Sequence, residues 1–217
     1  MAKSNILKEL ANNQICLEVA LSRLMIIASD IQDEKLYKWA IAELNGYSHD
    51  DILPPYRMRR SGVVRYTGIS GNFKVTNALL PTQFIPDKIN DELYDAKIYD
   101  GIKTISSFAN SNQGIGVDLS SLIGTVYANS GIQCTNLQLQ HDPSLFKKVL
   151  DSIRTKLLAV FIELDKCLGN LDDLDVSIEN ANVAKLKQTI YNIIFDNSIK
   201  IGDSNKIENT QMTGGNE

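Results

Sequence analysis

The amino-acid sequence predicts an α+β fold, in which a mostly helical domain carries a small antiparallel β insert. Residues 142–168 have apolar side chains at helical spacing along their whole length, which is typical of a long amphipathic helix. Residues 63–69 and 132–139 alternate instead between the two faces of an extended chain, which indicates strands. Because helical segments lie on both sides of the strands, we interpret the strands as an insert.

This pattern divides the chain into two parts. We expect residues 1–170 to form the helical domain, with the β insert at about residues 60–140. Residues 171–217 follow as an acidic linker, a short helix over 183–195 and a polar tail. Isoleucines on either side of Gly202 allow a small strand or hairpin in the tail, and its composition also allows disorder.

Two helices are predicted at the start of the helical domain. Ser4 is a candidate N-cap of the first, which we expect to run to about residue 29. Its second half is apolar on two faces and is therefore expected to pack against another helix or another subunit. The second helix, capped by Asp33, follows after a short link, as a hairpin or a sharp corner. The apolar positions of the first helix are Ile6, Leu10, Leu17, Leu21, Leu24 and Ala28 on one face and Ile15, Val19 and Ile26 on the other.

The second helix ends in a predicted structural corner. Trp39 lies on its apolar face, and Gly46 suits its end because glycine reaches left-handed conformations without steric cost. Pro54 and Pro55 then hold the chain extended, since proline disfavours a helical residue before it. The aromatic side chains that we expect to clamp this corner are Trp39, Tyr47 and Tyr56.

The insert is predicted to begin with a hairpin, in which residues 70–72 form the turn and 73–75 begin the return strand. Residues 77–81 are interpreted as a loop, and Pro86 opens a short helix. Residues 118–127 are ambiguous, because Asp118 can also cap a short helix there.

The segment from Trp39 to Arg57 also carries a family resemblance. It reads W-A-I-A-E-L-N-G-Y, then a short polar spacer, then L-P-P-Y-R, and a strand with a glycine follows. This pattern resembles the AbiTii domain of bacterial abortive-infection proteins, and a looser likeness extends over residues 145–168. The resemblance implies a role in bacterial antiviral defence. It implies no established chemistry, so no catalytic residue is carried over.

Composition narrows the classes of function. The 217 residues have a net charge of −4 and a pI near 5.3, which argues against dominant non-specific binding to nucleic acid. Cys16, Cys134 and Cys167 are far apart and form no C-x-x-C motif, which suits a reducing compartment. The N-terminus lacks the pattern of a signal peptide, and charges interrupt the most apolar window, residues 15–31. We therefore expect a cytoplasmic protein with no membrane span.

Motifs of catalysis or cofactor binding are missing from the sequence. It contains no G-x-x-x-x-G-K-[ST] and no G-x-G-x-x-G, and Gly114-Ile115-Gly116 lacks the third glycine. His49 and His141 each precede an aspartate, but metal phosphohydrolases need further histidines and this chain has only two. We therefore expect no catalytic residue, no metal site and no cofactor.

A basic cluster is the strongest candidate for ligand binding. Arginine together with aromatic side chains can bind phosphate and stack on bases, so a nucleotide, RNA or an acidic protein surface is conceivable. The alternatives are a solvated strand edge and, for Arg57, a bridge to a carboxylate such as Glu43. The cluster consists of Arg57, Arg59, Arg60 and Arg65, with Tyr56 next to the first and Tyr66 next to the last.

The sequence leaves three functional hypotheses. The first is a non-enzymatic module of antiviral defence that senses a phage product or oligomerises, with a phage or defence-system protein as partner. The second is a nucleic-acid-binding protein or nuclease that uses the arginine cluster. The third is a toxin that damages the host membrane through residues 15–31. A homo-oligomer is expected because the long helix and the first helix display more apolar surface than one chain readily covers, unless the β insert lies across them.

Overall fold

The computed structural model describes residues 3–173, 183–195, 200–201 and 205–206 and confirms the predicted α+β class. The helices are α1 (Asn5–Ala11), α2 (Leu17–Asp30), α3 (Glu34–Asn45), α4 (Asp87–Leu93), α5 (Ile102–Ala109), α6 (Ile123–Ser130), α7 (Ser144–Leu168) and α8 (Val183–Phe195). The strands are β1 (Met58–Arg60), β2 (Val63–Ser70), β3 (Phe73–Leu79), β4 (Asp95–Lys97), β5 (Ile115–Asp118), β6 (Gln133–His141), β7 (Lys200–Ile201) and β8 (Asn205–Lys206). None of the described helices is long and apolar enough to cross a membrane.

The long helix α7 lies at the centre of the larger hydrophobic core, as its sequence pattern predicts. It packs against α1, α2, α5 and α8, and these helices bury its apolar stripe within one chain. α5 belongs to the residue range predicted for the insert, so part of that range covers α7 within the chain, as one of the two expectations held. The homo-oligomer stays a prediction. The buried side chains of the stripe are Leu145, Phe146, Val149, Ile153, Leu157, Val160, Phe161 and Leu164.

The single helix predicted to run from Ser4 to residue 29 is instead two helices. α1 ends at Ala11 because Asn13 adopts a positive φ of 56°, which lets the N–H of Gln14 donate to the carbonyl of Glu9 over 2.8 Å. Asparagine tolerates this left-handed conformation and closes the helix as glycine would. The break separates the apolar residues into two helices with different directions. In α2, Val19 and Ile26 remain 43% and 46% exposed, so this chain does not bury its second face.

The N-terminus of α1 is capped from a distant part of the chain. The Ser4 side chain makes no capping hydrogen bond and donates to the carboxylate of Asp165, near the end of α7. The carboxylate of Asp172 accepts from the backbone N–H of Asn5 over 2.6 Å, where its negative charge suits the free N–H groups. Residues 171–173, the start of the predicted linker, thus pack against α1, and Leu171 is buried.

The four-stranded sheet has the order β3-β2-β6-β5 and is antiparallel throughout. Its buried face, with Val64, Tyr66, Leu137 and Leu139, packs with α4 and α6 to form the second hydrophobic core. β1 and β4 form a separate two-stranded ladder. α5 also lies within the range predicted for the insert, but it packs on α7 in the larger core.

The insert differs from its prediction in two places. β3 continues to Leu79, so the loop predicted at 77–81 is wrong for its first half, where Asn77 takes a positive φ of 53° within a bulge. β5, a strand that the sequence analysis did not predict, begins within the Gly114-Ile115-Gly116 segment and pairs with β6. At residues 118–127 the helical alternative is confirmed, because the Asp118 carboxylate accepts from the N–H of Ser120 over 3.0 Å and α6 follows.

The last helix matches its predicted range and packs against both α7 and α3. Beyond it, β7 and β8 pair antiparallel, as the hairpin alternative expected. The predicted linker over residues 174–182 lies outside the described residues, as does most of the tail.

Gly68 fixes the centre of the sheet. Both neighbours of β2 bulge here, since one extra residue of β3 and one of β6 face Thr67 and Gly68. A Cβ at Gly68 would collide with the carbonyl oxygen of Gln133 on β6. The bulges therefore require a residue without a side chain at this position.

We predict that Gly68→Ala lowers the free energy of unfolding by about 1–3 kcal/mol, because the backbone of β6 must shift to admit the methyl group. Gly124→Ala is the matched control, since a Cβ there meets no atom within 4 Å and alanine favours helix. Urea unfolding measures both. A Gly68→Ala variant as stable as the wild type would contradict this account of the bulges.

Candidate functional site

A buried ion pair lies at the corner predicted around Trp39. The Arg57 guanidinium donates through Nη2 to Oε2 of Glu43 over 2.6 Å and through Nε to Oε1 over 3.1 Å. Neither side chain has exposed surface. The bridge to Glu43, which the sequence offered as one alternative for Arg57, is thus present as a bidentate pair, the strongest arrangement of these two groups.

Aromatic side chains complete the surroundings of Glu43. Its Oε1 also accepts from the hydroxyls of Tyr47, over 2.6 Å, and Tyr56, over 2.8 Å. The indole N–H of Trp39 donates to the Tyr56 hydroxyl over 2.9 Å. Burial and the neighbouring Glu43 charge raise the pKa of both tyrosines well above the usual value. Both phenols therefore stay protonated and donate to the carboxylate.

Arg57 also joins α3 to the segment between β4 and α5. Its Nη1 donates to the carbonyl oxygens of Ile98, over 2.9 Å, and Asp100, over 2.7 Å. Gly46 packs against the segment between β4 and α5, and its φ is 101°. A Cβ at this position would lie 2.8 Å from the carbonyl oxygen of Tyr99. Glycine is needed at this helix end for close approach as well as for its backbone conformation.

The two prolines take different conformations. Pro54 is extended, with φ −59° and ψ 145°, as expected. Pro55 begins a 3-10 turn, Pro55–Arg57, so the chain bends here instead of remaining extended. This turn directs Tyr56 and Arg57 back towards Glu43.

The arginine cluster of the sequence does not form one surface. Arg57 is buried and committed to Glu43, so it is not exposed to a phosphate ligand. Arg59 and Arg60 lie on β1, where Arg59 approaches the Ser152 hydroxyl at 3.5 Å and Arg60 lies 4.0 Å from the Asp95 carboxylate. Arg65 lies on a different sheet, and its guanidinium donates to the carbonyl of Asn77 over 2.8 Å.

The two tyrosines that flank these arginines in the sequence are also inaccessible. Tyr56 and Tyr66 are 5% and 7% exposed, Tyr56 in the larger core and Tyr66 in the second core. Neither can stack on a base without unfolding. Of the six residues of the cluster, Tyr56, Arg57 and Tyr66 are therefore buried, and only Arg59, Arg60 and Arg65 keep exposed surface.

The two histidines have different surroundings. The ring of His49 packs edge-on against Tyr99, with 4.6 Å between centroids. His141 is buried at the end of β6, its Nδ1 has no hydrogen-bond partner among the described residues, and burial lowers its pKa. No group of three or more His, Cys, Asp or Glu side chains placed to hold a metal ion occurs in the described part of the chain.

An apolar groove, which we call the α3–α8 groove, opens beside the corner. Its volume is about 830 Å³, within the range of about 300–1,000 Å³ that is usual for ligand sites. Trp39 and Ile52 both line it, and Ile52 is 83% exposed. The other apolar and aromatic side chains that line it are Tyr37, Ile41, Ala42, Tyr47, Tyr191 and Phe195.

A family model, AbiTii, matches the chain over residues 4–190. The chain belongs to the AbiTii family. The resemblance seen at Trp39 to Arg57 is thereby confirmed, and the family indicates a role in abortive infection, a bacterial defence against phage. No curated protein and no solved structure matches the chain significantly.

The AbiTii match extends over the whole corner and all but the last turn or so of α8. Sequence reasoning identified the corner but missed the α3–α8 groove. Tyr37 and Ile41, four residues apart on the side of α3 away from the core, were an available signal. Their partner helix α8 could not be assigned to them from sequence, because pattern alone does not pair distant helices.

We predict that Glu43→Gln lowers the free energy of unfolding by roughly 3–5 kcal/mol, because it leaves Arg57 buried without a counter-charge. Glu34→Gln is the control, since Glu34 pairs with Lys38 on the solvent-exposed surface and its loss should change the stability little. Chemical denaturation measures both. If both variants lost the same free energy of unfolding, burial would not explain how much the Glu43–Arg57 pair contributes to stability.

A second prediction concerns alkaline pH. Because folding raises the pKa of Tyr47 and Tyr56, the stability of the corner is full below about pH 10 and falls as unfolded tyrosines ionise above it. Phenolate absorbance should show these two of the eight tyrosines ionising only with unfolding. Tyr56→Phe should remove one of them, whereas Tyr127→Phe, at an exposed position, should leave the delayed step unchanged. Ionisation of all eight before unfolding would refute the protonated network.

Proposed function

We propose that this AbiTii protein acts in abortive-infection defence as a non-enzymatic, cytoplasmic interaction module, through protein contacts made by the α3–α8 groove. The observation that carries the proposal is the groove itself, an apolar surface large enough to take side chains of another protein. Its aromatic lining is the composition found at the energetic centres of protein interfaces. The protein that binds in the groove would be a second copy of this chain, a phage protein or another protein of the defence system.

The polar groups of the corner support a structural role beneath that groove. Four N–H groups of Arg57 donate to Glu43, Ile98 and Asp100. The hydroxyls of Tyr47 and Tyr56 donate to Glu43, and the indole N–H of Trp39 donates to Tyr56. Groups that act on a substrate are directed at an open site, whereas these are directed at one another. The corner therefore supplies a rigid base for the groove.

The alternative, a nucleic-acid-binding protein or nuclease, loses the feature that suggested it. Burial of Arg57, Tyr56 and Tyr66 leaves Arg59, Arg60 and Arg65 on two separate sheets. The groove, in contrast, gathers aromatic residues from two helices and the loop before Pro54 in one place. We therefore favour protein interaction.

Phage plating tests the proposal. Bacteria that carry the wild-type gene should show fewer plaques than bacteria without it, and infected host cells should die. Tyr37→Glu should abolish protection, because it places a charge in the groove at a partly exposed position. Phe73→Glu is the control, since Phe73 is 77% exposed on β3, and it should keep protection.

A charge change on β1 separates the two hypotheses. Replacing Arg59 and Arg60 by alanine should leave protection intact if the protein acts through the groove. Loss of protection in this variant, together with divalent-metal-dependent cleavage of DNA or RNA by the purified wild type, would favour the nuclease. Protection that survives Tyr37→Glu at normal protein levels would contradict the groove.

A further inference from the structure

A second pocket, which we call the β1–α7 pocket, opens between the β1–β4 ladder and the middle of α7. Its volume is about 420 Å³, within the range of about 300–1,000 Å³ that is usual for ligand sites. Pro55 and Tyr56 line one side of it, and the 3-10 turn that holds them packs against α7. The Tyr56 hydroxyl is fixed between Glu43 and Trp39, so this wall of the pocket is rigid.

The strand β1 directs Arg59 into this pocket. Arg59 pairs with Ala96 of β4, and Ala96 packs against the larger core. Met58 and Arg60 lie on the opposite face of the ladder, because successive residues of a strand point to opposite sides. Arg59 therefore faces α7, whereas Arg60 lies beside Asp95 on the outer face.

The guanidinium of Arg59 has donors that the described chain does not use. Its hydrogen bond to the Ser152 hydroxyl is 3.5 Å long, beyond the usual range of about 2.7–3.2 Å for an N–H donor. Arg59 forms no ion pair with a carboxylate of the described residues. A planar guanidinium in this state can bind a phosphate group through two parallel N–H groups.

The α7 side of the pocket offers hydrogen-bond acceptors. The Ser152 hydroxyl donates to the carbonyl oxygen of Lys148 over 2.8 Å. The Thr155 hydroxyl donates to the carbonyl oxygen of Asp151 over 2.9 Å. Both protons are thus engaged, and the two hydroxyl oxygens face a ligand as acceptors. The Asp151 carboxylate also lines the pocket and has no hydrogen bond or ion pair among the described residues.

These acceptors require several donors at different places on the ligand. Asp151, Ser152 and Thr155 lie within one turn of α7, where side chains four residues apart are about 5–6 Å from each other. The hydroxyl groups of a sugar are spread over such distances, whereas an ammonium group holds all its donors on one atom. The ammonium of Lys156 donates to the carbonyl of Ile193, so we assign it no contact with the ligand.

We infer that the β1–α7 pocket binds a phosphorylated sugar, free or as part of a nucleotide. Arg59 binds the phosphate, and the sugar hydroxyls donate to Asp151, Ser152 and Thr155. This site goes beyond the proposed function, because among the described residues it shares no lining residue with the α3–α8 groove.

Isothermal titration calorimetry on the purified full chain tests the site, with ribose-5-phosphate, inorganic phosphate, ribose and glycine as probes. Ribose-5-phosphate should bind roughly tenfold or more tightly than inorganic phosphate, because its hydroxyls add hydrogen bonds. Ribose should bind more weakly than ribose-5-phosphate by a similar factor, because it lacks the anion. Adenosine monophosphate separates the two sources of this chemistry. Tighter binding than ribose-5-phosphate would identify a nucleotide, and equal or weaker binding a free sugar phosphate.

Two arginine variants test the phosphate contact. Arg59→Gln should weaken the binding of ribose-5-phosphate and of inorganic phosphate roughly tenfold or more, because it removes a charged hydrogen-bond partner. Arg60→Gln is the matched control, since it makes the same change at the next residue on the opposite face of β1 and should leave binding unchanged. Both side chains are exposed, so neither variant should lower the melting temperature.

Asp151→Ala tests the sugar contact. It removes an acceptor for the hydroxyls and also a negative charge near the phosphate. It should therefore weaken the binding of ribose-5-phosphate but not that of inorganic phosphate. A loss of structure in this variant would instead weaken the binding of both probes.

Four results would overturn the inference. They are no binding of ribose-5-phosphate at millimolar concentration, equal affinity for inorganic phosphate, equal or tighter binding of glycine, and an Arg60→Gln variant that loses as much affinity as Arg59→Gln. Phage plating of the Tyr37→Glu variant tests the α3–α8 groove separately. Failure of the sugar phosphate site would therefore leave the proposed defence function standing.

Discussion

The pairing of Glu43 with Arg57 is the interaction on which the arrangement of the helical body depends. It joins the last turn of α3 to the turn after Pro54 and, through Arg57, to the carbonyl oxygens of Ile98 and Asp100. Three chain segments that are distant in sequence thus meet at one guanidinium. Burial of two charges carries a large desolvation cost, so the pair is tolerated only because almost every donor and acceptor is satisfied.

The geometry of the candidate site follows from that pair. The position of Arg57 sets where the chain leaves the prolines, and this determines how residues 47–53 cross the surface. Close contact between Gly46 and Tyr99 holds the start of the same loop. Both ends of this loop are thus fixed, and its exposed Ile52 lines the groove together with Trp39. A polar network in the core therefore produces an apolar surface outside it.

The helical body and the β insert each have their own hydrophobic core. The sheet has its own hydrophobic core with α4 and α6, whereas α5 returns to pack on α7. The bulges at Gly68 add twist to the sheet without changing the larger core. This division leaves the α3–α8 groove independent of the sheet, so that changes in the insert can be used as controls for changes in the groove.

Some features of the protein were determined by sequence alone, because they depend on neighbours along the chain. The spacing of apolar residues predicted the helices α7 and α8 and the strand β2. Asp33 caps α3, as its position in the sequence predicted, by accepting a hydrogen bond from the N–H of Leu36. The pattern around Trp39 was specific enough to indicate the AbiTii family. Local signals of this kind act within a few residues, where spacing determines which side chains share a face.

Other features were decided only by tertiary structure. The break between α1 and α2 depends on Asn13, whose left-handed conformation is one of several that the sequence allows. Arg57 and Arg59 are two residues apart, yet one is buried against Glu43 and the other lies on the surface. The groove needs α8, which packs on α3 from the far end of the chain. Burial and long-range pairing depend on how distant segments meet, and no local pattern contains that information.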